Sequence, residues 1–232
     1  MRYGNFVGLE YLKAFFDAGI AVDAVVFQGD VFDPKERQIL AQRTNGRYQS
    51  LFVGDVLNGK STQIYYLKKH NSIEGEKLLT ELKPDLIVLG GTDILQDSLL
   101  QKAAKGVLNC HPGLLPEYRG CSCVEWSILN DDPVGAACHL ATKKIDAGPV
   151  IYQEPMTVFR SDDYASIRTR MISHLAHVMT SGVKKILTKP AGWPAPSAAG
   201  TYYHVIDEEN MLKVLDKIKN KTYRHMTEGV CV

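Results

Sequence analysis

The feature that most constrains the fold is a run of apolar residues, Leu86 to Leu89, that lies between Pro84 and a pair of glycines. A short apolar run with such boundaries is typical of a strand buried on both faces, and it predicts one at Asp85 to Leu89. Ala21 to Phe27 has the same character. Apolar residues at helical spacing precede that second run, namely Leu9, Leu12, Phe15 and Phe16. Alternating helices and strands predict an α/β fold, with a mostly parallel sheet and helices on both faces.

A third strand is predicted at Gly106 to Leu108, and it leads into the sequence NCHPGLLPEYRG, residues 109–120. The prolines and glycines of this stretch predict a structured loop. Asn109 and His111 are two residues apart, so an extended backbone places both side chains on one side. An amide can donate to a developing oxyanion, and an imidazole titrates near neutrality, so the pair suits carbonyl chemistry. The structural alternative is an Asn that caps a turn and a His that stacks on Pro112.

A carboxylate follows about 35 residues further along, in a turn between two predicted strands. Gly135 to Thr142 alternates as a strand, and Val150 to Tyr152 resumes the sheet. Asp146 lies in the Gly- and Pro-containing loop between them. It is a candidate catalytic residue, and its structural alternative is an Asx-turn.

Gly4 and Asn5 stand at the start of the first predicted helix, where exposed backbone N–H groups can bind a phosphate. They are therefore candidate substrate-binding residues. Glycines four apart, as Gly4 and Gly8 are, also permit close packing, so both interpretations stay open.

Composition limits the classes of function. A chain of 232 residues accommodates one main domain, and we expect a catalytic domain at 1–189 with a small appendage at 190–232. A net charge of +1 gives no general attraction for nucleic acid. The absence of an apolar run of about 18 residues argues against a membrane span, and we expect a cytoplasmic protein. Five cysteines without a C-x-x-C pair, and histidines 174 and 177 without a third ligand, argue against a metal site.

The two stretches NCHPGLLPEYRG and VGAACHLATKKIDAGPVI carry a resemblance to a known family. They are similar to the patterns N-x-H-P-S-L-L-P-x-x-x-G and G-x-T-x-H followed by D-x-G-x-I-I, which are found in formyltransferases that use 10-formyltetrahydrofolate. The resemblance covers residues 4–190 and implies a Rossmann-like fold with Asn109, His111 and Asp146 as catalytic residues. It also implies that the folate is bordered by Asp93, Ile94, Leu95, Thr142, Lys143, Lys144 and Ile145.

The chain departs from the family pattern at two points. Members normally begin with a buried strand before the glycine loop, and here that first strand is missing, which leaves the sheet with exposed edges. Ala137 stands where the family has Thr.

The acceptor amine is predicted from a finer resemblance. The helix sequence RGCSCVEWSILNDDPVG and the strand-plus-helix tail are most similar to enzymes that formylate a nucleotide-linked dideoxy-amino sugar. Phosphoribosylglycinamide formyltransferase is the main alternative. Methionyl-tRNA formyltransferase, formyltetrahydrofolate hydrolase and a non-catalytic folate- or nucleotide-sugar-binding module are the others. The apolar side of Thr201 to Lys219 predicts a homodimer interface, unless this tail packs on its own core.

Overall fold

The computed structural model describes residues 1–29, 34–189, 192–194 and 200–229, with residues 34–36 described by their backbone alone. The helices are α1 (Phe6–Asp17), α2 (Pro34–Thr44), α3 (Val53–Leu57), α4 (Ile73–Leu82), α5 (Asp97–Leu100), α6 (Cys123–Leu129), α7 (Tyr164–Thr188) and α8 (Glu208–Lys219). The strands are β1 (Ala24–Gln28), β2 (Gln63–Leu67), β3 (Ile87–Val88), β4 (Val107–His111), β5 (Tyr118–Gly120), β6 (Gly135–Leu140), β7 (Val150–Pro155), β8 (Val158–Phe159), β9 (Thr201–Tyr203) and β10 (Met226–Thr227).

The central sheet has four strands in the order β3-β4-β6-β7. Only its β3–β4 ladder is parallel, while β4–β6 and β6–β7 are antiparallel. The fold is thus mixed α/β, which corrects the expectation of a mostly parallel sheet, although the two-stranded ladders β1–β2, β5–β9 and β8–β10 are parallel. After β4 ends, residues 112–134 return the chain to that same end of the sheet, and β6 begins there. A strand that starts where its neighbour stops runs antiparallel to it, and no crossover to the opposite end is needed.

The long helix α7 packs across β4, β6 and β7 and against α1. Asp163 begins it as a capping box, in which its carboxylate accepts from the Ser166 N–H at 2.8 Å. Ile167, Met171 and Val178 are buried along its apolar face. This packing fixes β4, the strand that carries Asn109 and His111.

The sheet is interrupted between β1 and β3. Among the described residues, no strand joins these two. Residues 1–3 lie at the gap: Arg2 forms an isolated parallel bridge with Gln28, and its N–H donates to the Gly91 carbonyl at 3.0 Å. The predicted strand at 85–89 is shortened to Ile87 and Val88, which among the described residues pair with β4 on one edge.

The tail packs on the rest of the protein. β9 pairs with β5, α8 contacts α6, and Val214, Ile218 and Tyr223 are buried in the main core. The tail also keeps an exposed apolar side, which consists of Tyr202, Val205, Leu212 and Leu215. The boundary proposed at residue 189 lies beside residues 190–191, which are outside the described ranges.

Candidate active site

The central strand β4 places Asn109 and His111 within the sheet rather than on the loop that follows it. In the antiparallel ladder with β6, Asn109 stands opposite His139 and His111 opposite Ala137. Directly opposed residues share a face, so Asn109 and His139 are brought together. The Asn109 Nδ2 lies 3.3 Å from the His139 Nε2. Asn109 is half-buried, and both histidines are buried.

Asp146 joins the two histidines. Its Oδ2 lies 3.3 Å from the His111 Nδ1, and its Oδ1 lies 3.4 Å from the His139 Nε2. The Gly120 N–H donates to the same Oδ2 at 3.1 Å. Asp146 has a φ of +49°, a left-handed conformation that aspartate tolerates in turns and that aims its side chain at the sheet. The three residues predicted as catalytic are thus one cluster.

The carboxyl group is held ionised by this environment. Burial alone would raise the pKa of Asp146, but the hydrogen bond from His139 and the charge interaction with His111 outweigh it, so the pKa lies below its ordinary value. For His111 burial dominates and lowers the pKa, while Asp146 opposes that shift. At neutral pH the cluster therefore holds an anionic carboxylate beside a neutral imidazole.

The His111 ring is poised to accept a proton. Its Nε2 lies 2.9 Å from the Tyr118 carbonyl oxygen and 3.2 Å from the Cys123 Sγ. An imidazolium would find an acceptor at each nitrogen, the Tyr118 carbonyl on one side and Asp146 on the other. Burial raises the pKa of Cys123 to about 12, so the thiol stays protonated and does not act as a nucleophile.

His139 was not among the predicted catalytic residues, although it contacts two of them. The signal was present, because His139 is the histidine of the strand motif VGAACHL that matches G-x-T-x-H. Burial in the middle of a strand made it resemble a core residue. Its contact with Asp146 depends on the β4–β6 register, which the spacing along the chain does not reveal.

The residues predicted to border the folate lie on two loops, the one that follows β3 and the one between β6 and β7. The two loop regions meet through an ion pair between Lys143 and Asp97, at 3.6 Å. Ile94 and Ile145 are exposed apolar side chains, with 69% and 39% of their surface accessible. The Arg2 guanidinium donates to the Asp93 Oδ1 at 2.7 Å, and this hydrogen bond lowers the pKa of the Asp93 carboxyl group. The Thr142 hydroxyl donates to the Lys144 carbonyl at 3.0 Å, which keeps that loop in a turn.

Gly4 and Asn5 stand at the N-terminus of α1, where the Asn5 side chain lies against Gly91. The Asn5 side chain is buried and accepts from the Gly8 N–H at 3.0 Å, so it caps the helix. Gly4 has a φ of +70°, which explains a glycine there. A phosphate contact at these residues stays a prediction.

Within the described ranges, no group of three or more His, Cys, Asp or Glu side chains is arranged to hold a metal ion. Among the same residues, no helix has the length and apolar character that crossing a membrane would require.

We expect the acid limb of the pH–rate profile to lie below pH 6.5. The reason is that burial lowers the pKa of His111, so the neutral imidazole persists below the ordinary histidine pKa of about 6.5. Because Asp146 raises that pKa, Asp146→Asn should move the limb still lower. The measurement is kcat/KM between pH 5 and 9 for both proteins. A limb centred above pH 6.5 would contradict the assignment.

An amide, two imidazoles and a carboxylate gathered on one face of a sheet form a site that can stabilise an oxyanion and store a proton. The sequence model of the family described as "Formyl transferase" matches residues 38–182. The chain belongs to that family.

Relatives of known sequence agree with this family. The chain is 30% identical over 187 residues to methionyl-tRNA formyltransferase from Prochlorococcus marinus, covering 78% of this chain and 52% of the relative. It is also 30% identical over 126 residues to the bifunctional polymyxin resistance protein ArnA from Wigglesworthia glossinidia brevipalpis, covering 53% of this chain and 19% of that protein. The chain spans about half the length, or less, of these curated relatives.

Solved structures share the fold. Phosphoribosylglycinamide formyltransferase from Bacillus halodurans superposes with a TM-score of 0.58 at 20% identity, covering 81% of this chain and 93% of that one. A second structure is that of the formyltransferase PseJ from Anoxybacillus kamchatkensis, in complex with UDP-4,6-dideoxy-4-formamido-L-AltNAc and tetrahydrofolate. It superposes with a TM-score of 0.54 at 18% identity, covering 82% of this chain and 90% of that one. These likenesses support a formyltransferase fold for this chain, with its sheet interrupted as described.

Proposed function

We propose that the protein transfers a formyl group from 10-formyltetrahydrofolate to the primary amine of a nucleotide-linked amino sugar. The observation that carries the proposal is the cluster in which Asp146 contacts His111 and His139 beside the Asn109 amide. It supplies an oxyanion donor and a proton acceptor within one small volume. Because the chain belongs to the formyl transferase family, we assign this site to formyl transfer.

The residues divide the chemistry between them. Asn109 donates an N–H to the carbonyl oxygen as the amine adds to the formyl carbon and negative charge develops there. The pair of Asp146 and His111 takes the proton that the amine loses. His111 becomes an imidazolium with an acceptor at each nitrogen, and returns the proton to the departing folate nitrogen when the carbon–nitrogen bond breaks. His139 positions Asp146 and Asn109. The co-substrate supplies only the formyl group.

The sugar acceptor is supported by two features. The strand β9, whose sequence carried the finer resemblance, pairs with β5, and β5 ends at Gly120, whose N–H donates to Asp146. The tail thus lies next to the cluster, where an acceptor would approach. One structure with the same fold was solved with a UDP-linked formamido sugar.

Glycinamide ribonucleotide is the second candidate acceptor, because a phosphoribosylglycinamide formyltransferase superposes with a TM-score of 0.58 and is covered over 93% of its length. The two acceptors are distinguished by incubating the protein with 10-formyltetrahydrofolate and each amine in turn. We expect a mass gain of one formyl group on a nucleotide-linked amino sugar. Formylation of glycinamide ribonucleotide alone would favour the purine enzyme, and formate release without any amine would favour a hydrolase.

We expect Ile94→Asp to weaken folate binding at least tenfold and to leave nucleotide binding nearly unchanged. The substitution places a charge on an exposed apolar side chain, at the edge where the two loop regions meet, and burying that charge against a ligand is costly. Phe52→Asp is the matched control, since Phe52 is 74% exposed and is the N-cap residue of α3. Binding is measured by calorimetry with tetrahydrofolate and with a nucleoside diphosphate. Equal losses for both ligands would show that the pockets are not separate.

The homodimer stays a prediction of this proposal. Its interface would be the exposed apolar side of the tail, and the chain cut after Lys189 is a poor test because Val214 and Ile218 are buried in the core. We expect Leu212→Asp, at a position 61% exposed, to lower the mass measured by light scattering from dimer to monomer with little loss of Tm. A full-length chain that is monomeric at micromolar concentration would exclude this interface.

A further inference from the structure

The ring of His111 meets an acceptor at each of its two nitrogens. Its Nδ1 faces the Asp146 carboxylate at 3.3 Å, and its Nε2 faces the Tyr118 carbonyl oxygen at 2.9 Å. A neutral imidazole has one N–H and one lone pair, so it can donate to only one of these two acceptors. The other nitrogen then turns a buried lone pair towards an oxygen, and it needs a donor from elsewhere.

The charge of Asp146 decides which nitrogen of the neutral ring keeps the proton. A lone pair at Nδ1 would face a full negative charge, whereas a lone pair at Nε2 faces only the partial charge of a peptide carbonyl. The neutral ring therefore carries its proton on Nδ1 and donates it to Asp146. The Nε2 of His111 is left as the nitrogen that must accept a hydrogen bond.

The Cys123 thiol is placed to donate that hydrogen bond. Its Sγ lies 3.2 Å from the His111 Nε2, and the side chain is buried. Burial raises the pKa of Cys123 to about 12, so the S–H hydrogen is present at neutral pH. The same Sγ lies 3.7 Å from the Cys121 carbonyl oxygen. The thiol thus has two acceptors, and rotation about its Cβ–Sγ bond turns the hydrogen from one to the other.

Gly113 makes room for the contact between the thiol and the ring. A Cβ atom at position 113 would lie 2.9 Å from the Cys123 Cβ and 3.0 Å from the His111 Nε2, which is closer than side chains pack. The formyltransferase pattern N-x-H-P-S-L-L-P has Ser at this position. The combination of Gly113 and Cys123 therefore distinguishes this chain from the pattern that it resembles.

We propose that Cys123 is a positioning residue, whose thiol donates to the His111 Nε2 while the ring is neutral and turns to the Cys121 carbonyl when the ring is protonated. In the protonated state the Nε2–H donates to the Tyr118 carbonyl, so each state of the ring has a complete set of partners. This role rests on the proposed function, in which His111 takes the proton that the amine loses. A donor that serves only the neutral ring favours that state and lowers the pKa of His111.

Titratable groups face the His111 ring from three elements. Burial lowers the pKa of His111, Asp146 on the loop between β6 and β7 raises it, and His139 on β6 lowers it. Cys123, on α6, is neutral and acts through its hydrogen bond. Substitutions of Cys123 leave Asp146 and His139 in place, so a change in the pKa of His111 can be assigned to position 123.

The test measures the pKa and the tautomer of His111 by nitrogen-15 NMR of the full chain without substrate. The variant His111→Gln assigns its signals among the seven histidines. In the unchanged protein at pH 8 we expect the proton on Nδ1 and the lone pair on Nε2. Cys123→Ala should raise the pKa of His111 by about 1, because the neutral ring loses one hydrogen bond. Cys123→Ser has a side chain close to alanine in size but keeps a donor, so its pKa should stay close to that of the unchanged protein.

Cys138→Ala is the matched control, because Cys138 is also buried but its Sγ contacts the Met179 sulfur, at 3.7 Å. It should change neither the pKa nor the tautomer of His111. The acid limb of kcat/KM should move to higher pH in Cys123→Ala, together with the pKa. It should stay in place in Cys123→Ser and in Cys138→Ala.

Three results would overturn the proposal. A neutral ring with its proton on Nε2 in the unchanged protein would leave the thiol no acceptor on His111. A serine variant with the same pKa as the alanine variant would show that position 123 acts through its volume. An alanine variant with the pKa of the unchanged protein would show that the thiol does not act on the ring. The NMR readouts need no substrate, so they stay decisive even if the protein transfers no formyl group.

Discussion

Asn109→Ala is expected to lower kcat by about 10²–10³, the usual cost of removing one donor from an oxyanion site. The side chain of Asn109, on β4, has its Nδ2 beside the Nε2 of His139, on β6. Asn109 is half-buried, so its amide can reach a carbonyl oxygen placed against that face of the sheet. Its loss leaves the contact between His139 and Asp146 in place. We therefore expect Tm to change by only a few degrees. The measurement is formamide production under saturating co-substrate, with thermal unfolding in parallel.

Two further variants separate the donor from the shape of the side chain. Asn109→Asp is nearly isosteric but lacks the N–H donor, and we expect it to be at least as impaired as the alanine variant. Asn58→Ala, at an exposed residue that follows α3, is the matched control and should keep full activity. If the aspartate variant retained normal turnover, Asn109 would serve packing rather than oxyanion stabilisation.

Asp146→Asn is expected to cost more, about 10³–10⁴ in kcat, as in other sites where a carboxylate orients a catalytic histidine. A carboxylate accepts through both oxygens, and here one faces His111 while the other faces His139. An amide offers one acceptor and one N–H group, so it cannot accept from both rings. It also removes the negative charge that stabilises an imidazolium at His111.

The stability of this variant gives an independent readout. Asp146 is buried and accepts from the Gly120 N–H, so its replacement should lower Tm by several degrees. Asp85→Asn, at an exposed carboxylate at the start of the predicted strand, should change neither kcat nor Tm. Normal kcat in Asp146→Asn would remove the carboxylate from the mechanism, whatever happened to Tm.

Local patterns predicted much of this fold. The helix α1 contains the apolar residues whose spacing predicted it, because an N-capping Asn5 and an amphipathic spacing are properties of a few neighbouring residues. The strand β2 was missed because its side chains are largely exposed and show no buried alternation. The direction of β6 was also wrong, since a strand pattern contains no information on which partner it pairs with.

The sequence by itself determined the chemical groups of the site. Asn109 and His111 lie on one strand, and Asp146 lies in a turn that admits a positive φ. Residue type and spacing made them candidates, and the family resemblance selected them over structural roles. Only the tertiary structure decided that His139 belongs with them, because its place opposite Asn109 follows from the register of an antiparallel ladder. The tertiary structure likewise decided the protonation states. Burial and the neighbouring carboxylate, which set the pKa of His111, exist only once distant segments have packed together.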